Sequence, residues 1–133
     1  MRLRQLAAIS TICLVTGCDG PVAMFPGGEL EGDVANAETW AFAAEFETLE
    51  LETRSESGSA YSVNVGFVLK GDRLYIDPTS ERRWYGNIVD RPNVRVRFSD
   101  GGIYRARAVP VADPGEREGF DPDRHVLRLE LAN

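Results

Sequence analysis

The chain has 133 residues, 15 basic against 21 acidic side chains, and a formal charge of −6. That length fits one domain. The acidic balance argues against general nucleic-acid binding, which rests on neutralising phosphates.

The N-terminus reads as an export signal. Arg2 and Arg4 supply positive charge with no acid nearby, and an apolar run follows from Leu6 to Val15. A spanning helix needs about 20 apolar residues, so this run is short for one. A charged start, a short apolar middle and small residues at the end describe a signal peptide over residues 1–17. The sequence Leu14-Val15-Thr16-Gly17-Cys18 resembles the lipobox of bacterial lipoproteins, with Val15 where Leu is commoner. The resemblance implies that Cys18 becomes the acylated first residue, held on a membrane by more than one chain. It also implies a place in the cell envelope, facing the periplasm or the exterior. Asp19 resembles the residue that retains lipoproteins of enteric bacteria on the inner membrane; inner and outer membrane both stay open. Cleavage would remove Cys13, Arg2 and Arg4. The remainder would be still more acidic, with no disulfide, no reactive thiol and no Cys-based metal site. Its acidity argues against adhesion to anionic lipid except through the acyl chains.

Residues 18–37 hold Gly20-Pro21, Pro26-Gly27-Gly28 and Gly32, a density of chain-breaking residues that reads as a lipidated tether. The domain proper is expected over 38–133. Trp40 to Phe46 suits a short helix or a strand, with the extended reading preferred. Thr48 to Thr53 alternates strictly, with Leu49 and Leu51 on one face and acids on the other, as a half-buried strand does. Tyr61 to Leu69 places Tyr61, Val63, Val65 and Phe67 on one side. Lys70-Gly71-Asp72 turns the chain and Arg73 to Ile76 returns, a hairpin signature. Asp77-Pro78-Thr79-Ser80 offers a helix start with Asp77 as cap. A short helix is expected over Glu81 to Val89, ended by Arg91-Pro92. Val94 to Phe98, a turn at Ser99 to Gly102, and Ile103 to Val111 form a second hairpin. His125 to Leu131 is the last strand. The sum is a mainly β fold: a small split β-barrel of about six antiparallel strands with one short helix, closure protecting the strand edges.

The order of these pieces resembles the split β-barrel flavoproteins, including the pyridoxamine 5′-phosphate oxidase-like and deazaflavin-dependent nitroreductase-like groups. The segments that carry the resemblance are Gly71 to Ile76, Trp84-Tyr85-Gly86-Asn87, Arg91 to Val96 and Tyr104 to Val109. It implies a groove between barrel and helix that binds FMN or a deazaflavin for redox chemistry on a small molecule, usually in a homodimer. Carried over, the cofactor-binding positions are Arg54, Ser62, Asn64, Ser80, Arg82, Arg83 and Trp84. Arg provides a planar fork for phosphate, and backbone donors near Ser80 would add to it. Three departures bear on this. The loop Arg54-Ser55-Glu56-Ser57-Gly58-Ser59-Ala60 carries an acid where the family's loop is basic. No catalytic acid stands out, which is not decisive, since flavin hydride chemistry can proceed without one. Export unfolded would make cofactor loading happen outside the cytoplasm. The alternative is a cofactor-free envelope binding or structural module on the same barrel, and haem is a third occupant of such barrels.

Each feature also has a plainer reading. Trp84 suits the core better than a ligand wall. Arg95, Arg97, Arg105 and Arg107 suit an outward face balanced by Glu50, Glu52 and Glu130 on neighbouring strands. His125, the one histidine, sits in the turn-like Asp121-Pro122-Asp123-Arg124, which is too sparse for a metal site.

Overall fold

The structure, a computed structural model, describes residues 20–133. The segment expected as a signal peptide, residues 1–17, and Cys18 and Asp19 lie outside the described residues. Seven strands form one antiparallel sheet: β1 (Thr48–Arg54), β2 (Ala60–Gly66), β3 (Val68–Lys70), β4 (Arg73–Ile76), β5 (Asn93–Arg97), β6 (Ile103–Pro110) and β7 (Leu127–Leu131). Their spatial order is β2-β1-β5-β6-β7-β4-β3, curled into a half-barrel with one helix, α1 (Arg83–Asp90). The mainly β split-barrel expectation holds, but the sheet is not closed: β2 and β3 stand at its two ends.

The strand count exceeds the expected six because Tyr61 to Leu69 is not continuous. β2 pairs with β1 up to Gly66, opposite Thr48, whereas β3 pairs with β4 from Val68, opposite Tyr75. Only Phe67 separates them, so the chain itself runs from one edge of the sheet to the other. Gly66 is a natural place for this change, since a strand glycine often marks a bend.

Trp40 to Phe46 is not extended. Ala41–Glu45 forms a turn of 3-10 helix, with Ala43 N–H donating to Trp40 O (2.8 Å) and Phe46 N–H to Ala43 O (3.0 Å). Trp40 and Ala43 are both buried, and the three-residue turn of this helix brings them to one side. The Trp40 indole N–H donates to Leu129 O at 2.6 Å, which fixes the turn on β7. Around it Phe98 gathers Trp40, Phe42, Phe46, Phe67 and Tyr104, with ring centroids 5.0–6.2 Å apart. Leu49 and Leu51 of β1, Leu74 and Ile76 of β4, Val94 and Val96 of β5, and Leu127 and Leu129 of β7 complete the core.

The helix begins at Arg83, two residues later than expected. Arg82 precedes it in an extended conformation with no side-chain cap, so Asp77 does not cap it. Arg91 ends it ahead of Pro92, as the sequence suggests. Trp84 and Ile88, four apart, turn inward to the core.

Residues 20–37, expected as a tether, lie along the outside of the sheet. Gly27 and Ser62 exchange both backbone hydrogen bonds (2.9 and 3.0 Å), and Ala35 N–H donates to Ile103 O (2.7 Å). The glycines allow close approach rather than slack. A Cβ on Gly27 would stand 2.3 Å from the Gly20 carbonyl carbon, and one on Gly20 would stand 2.7 Å from the Arg97 guanidinium.

A smaller cluster, Tyr75, Val111 and Val126 with Phe120 against it, packs the loop after β6 onto β4. There the Tyr75 hydroxyl donates to Glu116 (2.8 Å), which also takes the Arg128 guanidinium. Arg128, then Tyr75, hold the Glu116 carboxyl below its ordinary 4.5. Burial, then the bond to Glu116, pushes Tyr75 above its ordinary 10.0. A depressed acid stabilises the fold above its unfolded pKa, and that contribution is lost as pH falls through the folded value. A raised tyrosine contributes below its unfolded pKa and loses that contribution as pH rises through the folded value. Glu116→Gln should therefore flatten the acid limb of a urea midpoint measured against pH, below about 4.5, and Tyr75→Phe the alkaline limb above about 10. An unchanged acid limb in Glu116→Gln would remove that carboxyl from acid unfolding.

Candidate functional site

The strand alternation that sends Leu49, Leu51 and Thr53 inward sends Glu50, Glu52 and Arg54 outward, and in β2 it sends Ser62 and Asn64 outward as well. This divides the seven positions implied by the resemblance between two places.

On the outer face, Ser62 is fully buried beneath residues 27–28, its hydroxyl donating to Gly28 O at 2.7 Å. The Asn64 amide donates to Ala23 O at 2.7 Å. Arg54 reaches Glu52 at 3.3 Å and Gly58 O at 3.4 Å. These three side chains thus hold the chain's own segments.

The same face carries an ion-pair network. Glu52 is 2% exposed. It accepts the Arg95 guanidinium through both oxygens (3.1 Å each) and the Leu30 backbone N–H (2.7 Å). Arg97 makes the parallel pair with Glu50. The balanced-face reading of Arg95 and Arg97 holds. Glu130 differs from expectation in taking Arg128 (3.0 Å) although it lies opposite Arg107.

The remaining positions lie around α1, beside the tip of the β1–β2 hairpin. Trp84 is core, 7% exposed. Ser80 and Arg82 are exposed ahead of the helix. Arg83 lies over the Tyr61 ring, 5.3 Å from its centroid. It borders a cleft of about 490 Å³ lined by Ser55, Glu56, Ser57, Arg83 and Asn87. The hydroxyls of Ser55, Ser57 and Ser59 form a chain at 3.0 and 3.1 Å across the hairpin tip. On the far wall the Asn87 amide donates to Thr53 Oγ1 (3.0 Å), which itself donates to Tyr61 O (3.1 Å). The cleft therefore combines one exposed cation over an aromatic ring, a row of rotatable hydroxyls and an amide. Such a set suits a phosphate or another small oxyanion. Glu56 is its one acid, at the exposed tip. Arg82 and Arg83 do not act as a pair, since only Arg83 lines the cleft.

Asn87 and Tyr61 belong to this site but not to the positions implied by the resemblance. The signal for Asn87 is its spacing, four residues after Arg83 on one helix face. A larger groove of about 730 Å³ opens on the opposite side, bordered by Glu31, Glu45, Glu47 and Glu50. Its acids disfavour any anionic ligand. His125 stacks on Tyr85, ring centroids 4.2 Å apart and 15° from parallel, which braces α1.

No protein-family model matches the chain, and no curated protein matches it. Solved structures match in shape. A candidate pyridoxamine 5′-phosphate oxidase from Listeria innocua aligns at 15% identity over 70% of this chain and 90% of its own, with a TM-score of 0.60. The FAD binding protein of Mycobacterium smegmatis aligns at 16% identity over 72% and 89%, with a TM-score of 0.57. The haem storage protein of Vibrio cholerae aligns at 19% identity over 69% and 86%, with a TM-score of 0.54. Identities this low establish the shared split-barrel fold and nothing about the ligand.

Proposed function

We propose that this chain is an envelope lipoprotein, anchored through Cys18, whose half-barrel holds FMN or a deazaflavin for redox chemistry on a small molecule. The observation that carries the cofactor reading is the cleft at the hairpin tip. It places Arg83, Ser55, Ser57 and Asn87 around one small volume in a fold shared with an FAD binding protein. Those residues fit the phosphate end of such a cofactor. Tyr61, under Arg83, offers an aromatic surface beside it. The bound ring would supply hydride or electron transfer, while the chain's part is to seat and orient it. The anchor reading rests on the charged start, the apolar run and the lipobox-like Leu14 to Cys18. A homodimer would enclose the open side of the half-barrel, and light scattering reads it directly.

The test is a titration of the full chain with FMN, a deazaflavin and haem, followed by fluorescence or absorbance. Saturable binding of one flavin is expected. Arg83→Ala should weaken it about ten-fold, the equivalent of about 1.4 kcal/mol, whereas Arg82→Ala should leave it unchanged. Equal affinity in Arg83→Ala would place the phosphate elsewhere. A folded protein that binds none of the three would favour the cofactor-free module, a reading that the engagement of Ser62, Asn64 and Trp84 in the chain's own packing already favours.

A further inference from the structure

Among the described residues, the exposed large apolar side chains include scattered single valines, which are ordinary. One group is different. Val22, Met24 and Phe25 are 73%, 89% and 69% exposed within four consecutive residues. They are not loose chain. Val22 and Phe25 exchange both backbone hydrogen bonds (3.1 and 2.9 Å) across a two-residue turn. Asn64 fastens the tip by donating to Ala23 O, and Pro21, just before the turn, is buried. Ala23 sits at φ +52°, a region that non-glycine residues rarely enter. A defined hairpin therefore holds three bare apolar side chains out from the barrel.

We propose that this hairpin inserts into the surface of a bilayer of neutral phospholipid, so that the barrel lies directly against the membrane instead of hanging from it. The inference rests on the lipoprotein reading, because chain length ties the two together. An extended chain spans at most about 3.6 Å per residue, so an anchor at Cys18 is within about 14 Å of Val22 and about 7 Å of Gly20. Gly20 is packed against Arg97 and Leu30. An anchor at Cys18 would thus leave one residue between itself and the packed Gly20, which would bring the hairpin within reach of the lipid surface. Charge selects the lipid. The groove bordered by Glu31, Glu45 and Glu47 also includes Asn64, the residue that fastens the hairpin. Anionic headgroups would be repelled there, whereas neutral ones would accept the apolar tip.

Tryptophan fluorescence tests this in the full chain. Trp40 and Trp84 are both buried, so wild-type emission should not respond to lipid-borne quenchers. Phe25→Trp, reconstituted in phosphatidylcholine vesicles, should lose about half its added emission to brominated acyl chains. Ser57→Trp, at the other end of the β1–β2 hairpin, should lose none. Mass spectrometry of the N-terminal peptide reads acylation of Cys18 separately. Acylated protein with an unquenched Phe25→Trp would overturn the insertion and leave the anchor standing. Quenching without acylation would leave the insertion standing and remove the anchor. Neither acylation nor quenching would end both.

Discussion

Replacing Phe98 by alanine is expected to bring the domain close to unfolding at room temperature. Phe98 is 1% exposed and stands at the centre of five aromatic neighbours contributed by the 3-10 turn, the β2–β3 junction and β6. Phe→Ala in a core costs about 3–5 kcal/mol, from lost transfer energy and from the cavity left behind. Domains of this size have about 5–15 kcal/mol in total. The loss should be seen as a large drop in the urea midpoint, followed by the emission of Trp40, whose ring lies 6.2 Å from that of Phe98. Phe98→Leu keeps most of the volume and should cost about half as much. Equal losses in the two variants would mean that the volume filled by the ring is not what holds the 3-10 turn against the sheet.

Truncating Glu52 should have an effect of similar size for a different reason. Its buried carboxylate satisfies Arg95 on the neighbouring strand and the backbone of Leu30 in the overlying segment. Removing one partner of a buried pair leaves the other charge uncompensated and costs about 3–5 kcal/mol. Glu52→Ala should also release residues 20–34 from the sheet. Hydrogen exchange at the Leu30 amide would then speed up ahead of global unfolding. The double variant Glu52→Leu with Arg95→Leu should recover part of the stability, because Arg95 is no longer left without its partner and Arg54, 40% exposed, stays in water, while the Leu30 N–H still lacks its acceptor. If the double variant were as unstable as Glu52→Ala, the loss would come from detaching the segment and not from the charge.

Much of this fold can be read in the chain, because alternation is local. Leu49 and Leu51, Val94 and Val96, and Leu127 and Leu129 all face the core as their spacing suggests. The break at Phe67 cannot be read that way. Tyr61, Val63, Val65 and Phe67 alternate straight across it, and only the change of partner from β1 to β4 reveals two strands. Trp40 to Phe46 fits a period of two as well as one of three. The bond that decides between them joins Trp40 to Leu129, far along the chain. The glycines of the lead-in read as slack because close backbone approach leaves no local signature. At the candidate site the same alternation was the better guide. It puts Arg54, Ser62 and Asn64 outward, away from the cleft implied by the resemblance, while Arg83 and Asn87 are placed by helix spacing.

The position of β7 has a consequence for how the molecule assembles in time. This strand, the last of the seven in sequence order, lies between β6 and β4 and pairs with both. Until it arrives, β1, β2, β5 and β6 form one ribbon and β3 and β4 another, with no ladder between them. A chain growing from its N-terminus thus remains in two unjoined pieces until β7 is available. Completion of the sheet becomes a late, long-range event, of the kind that slows folding. Loss of β7 would do more than shorten an edge, since it would remove the strand that unites the two ribbons.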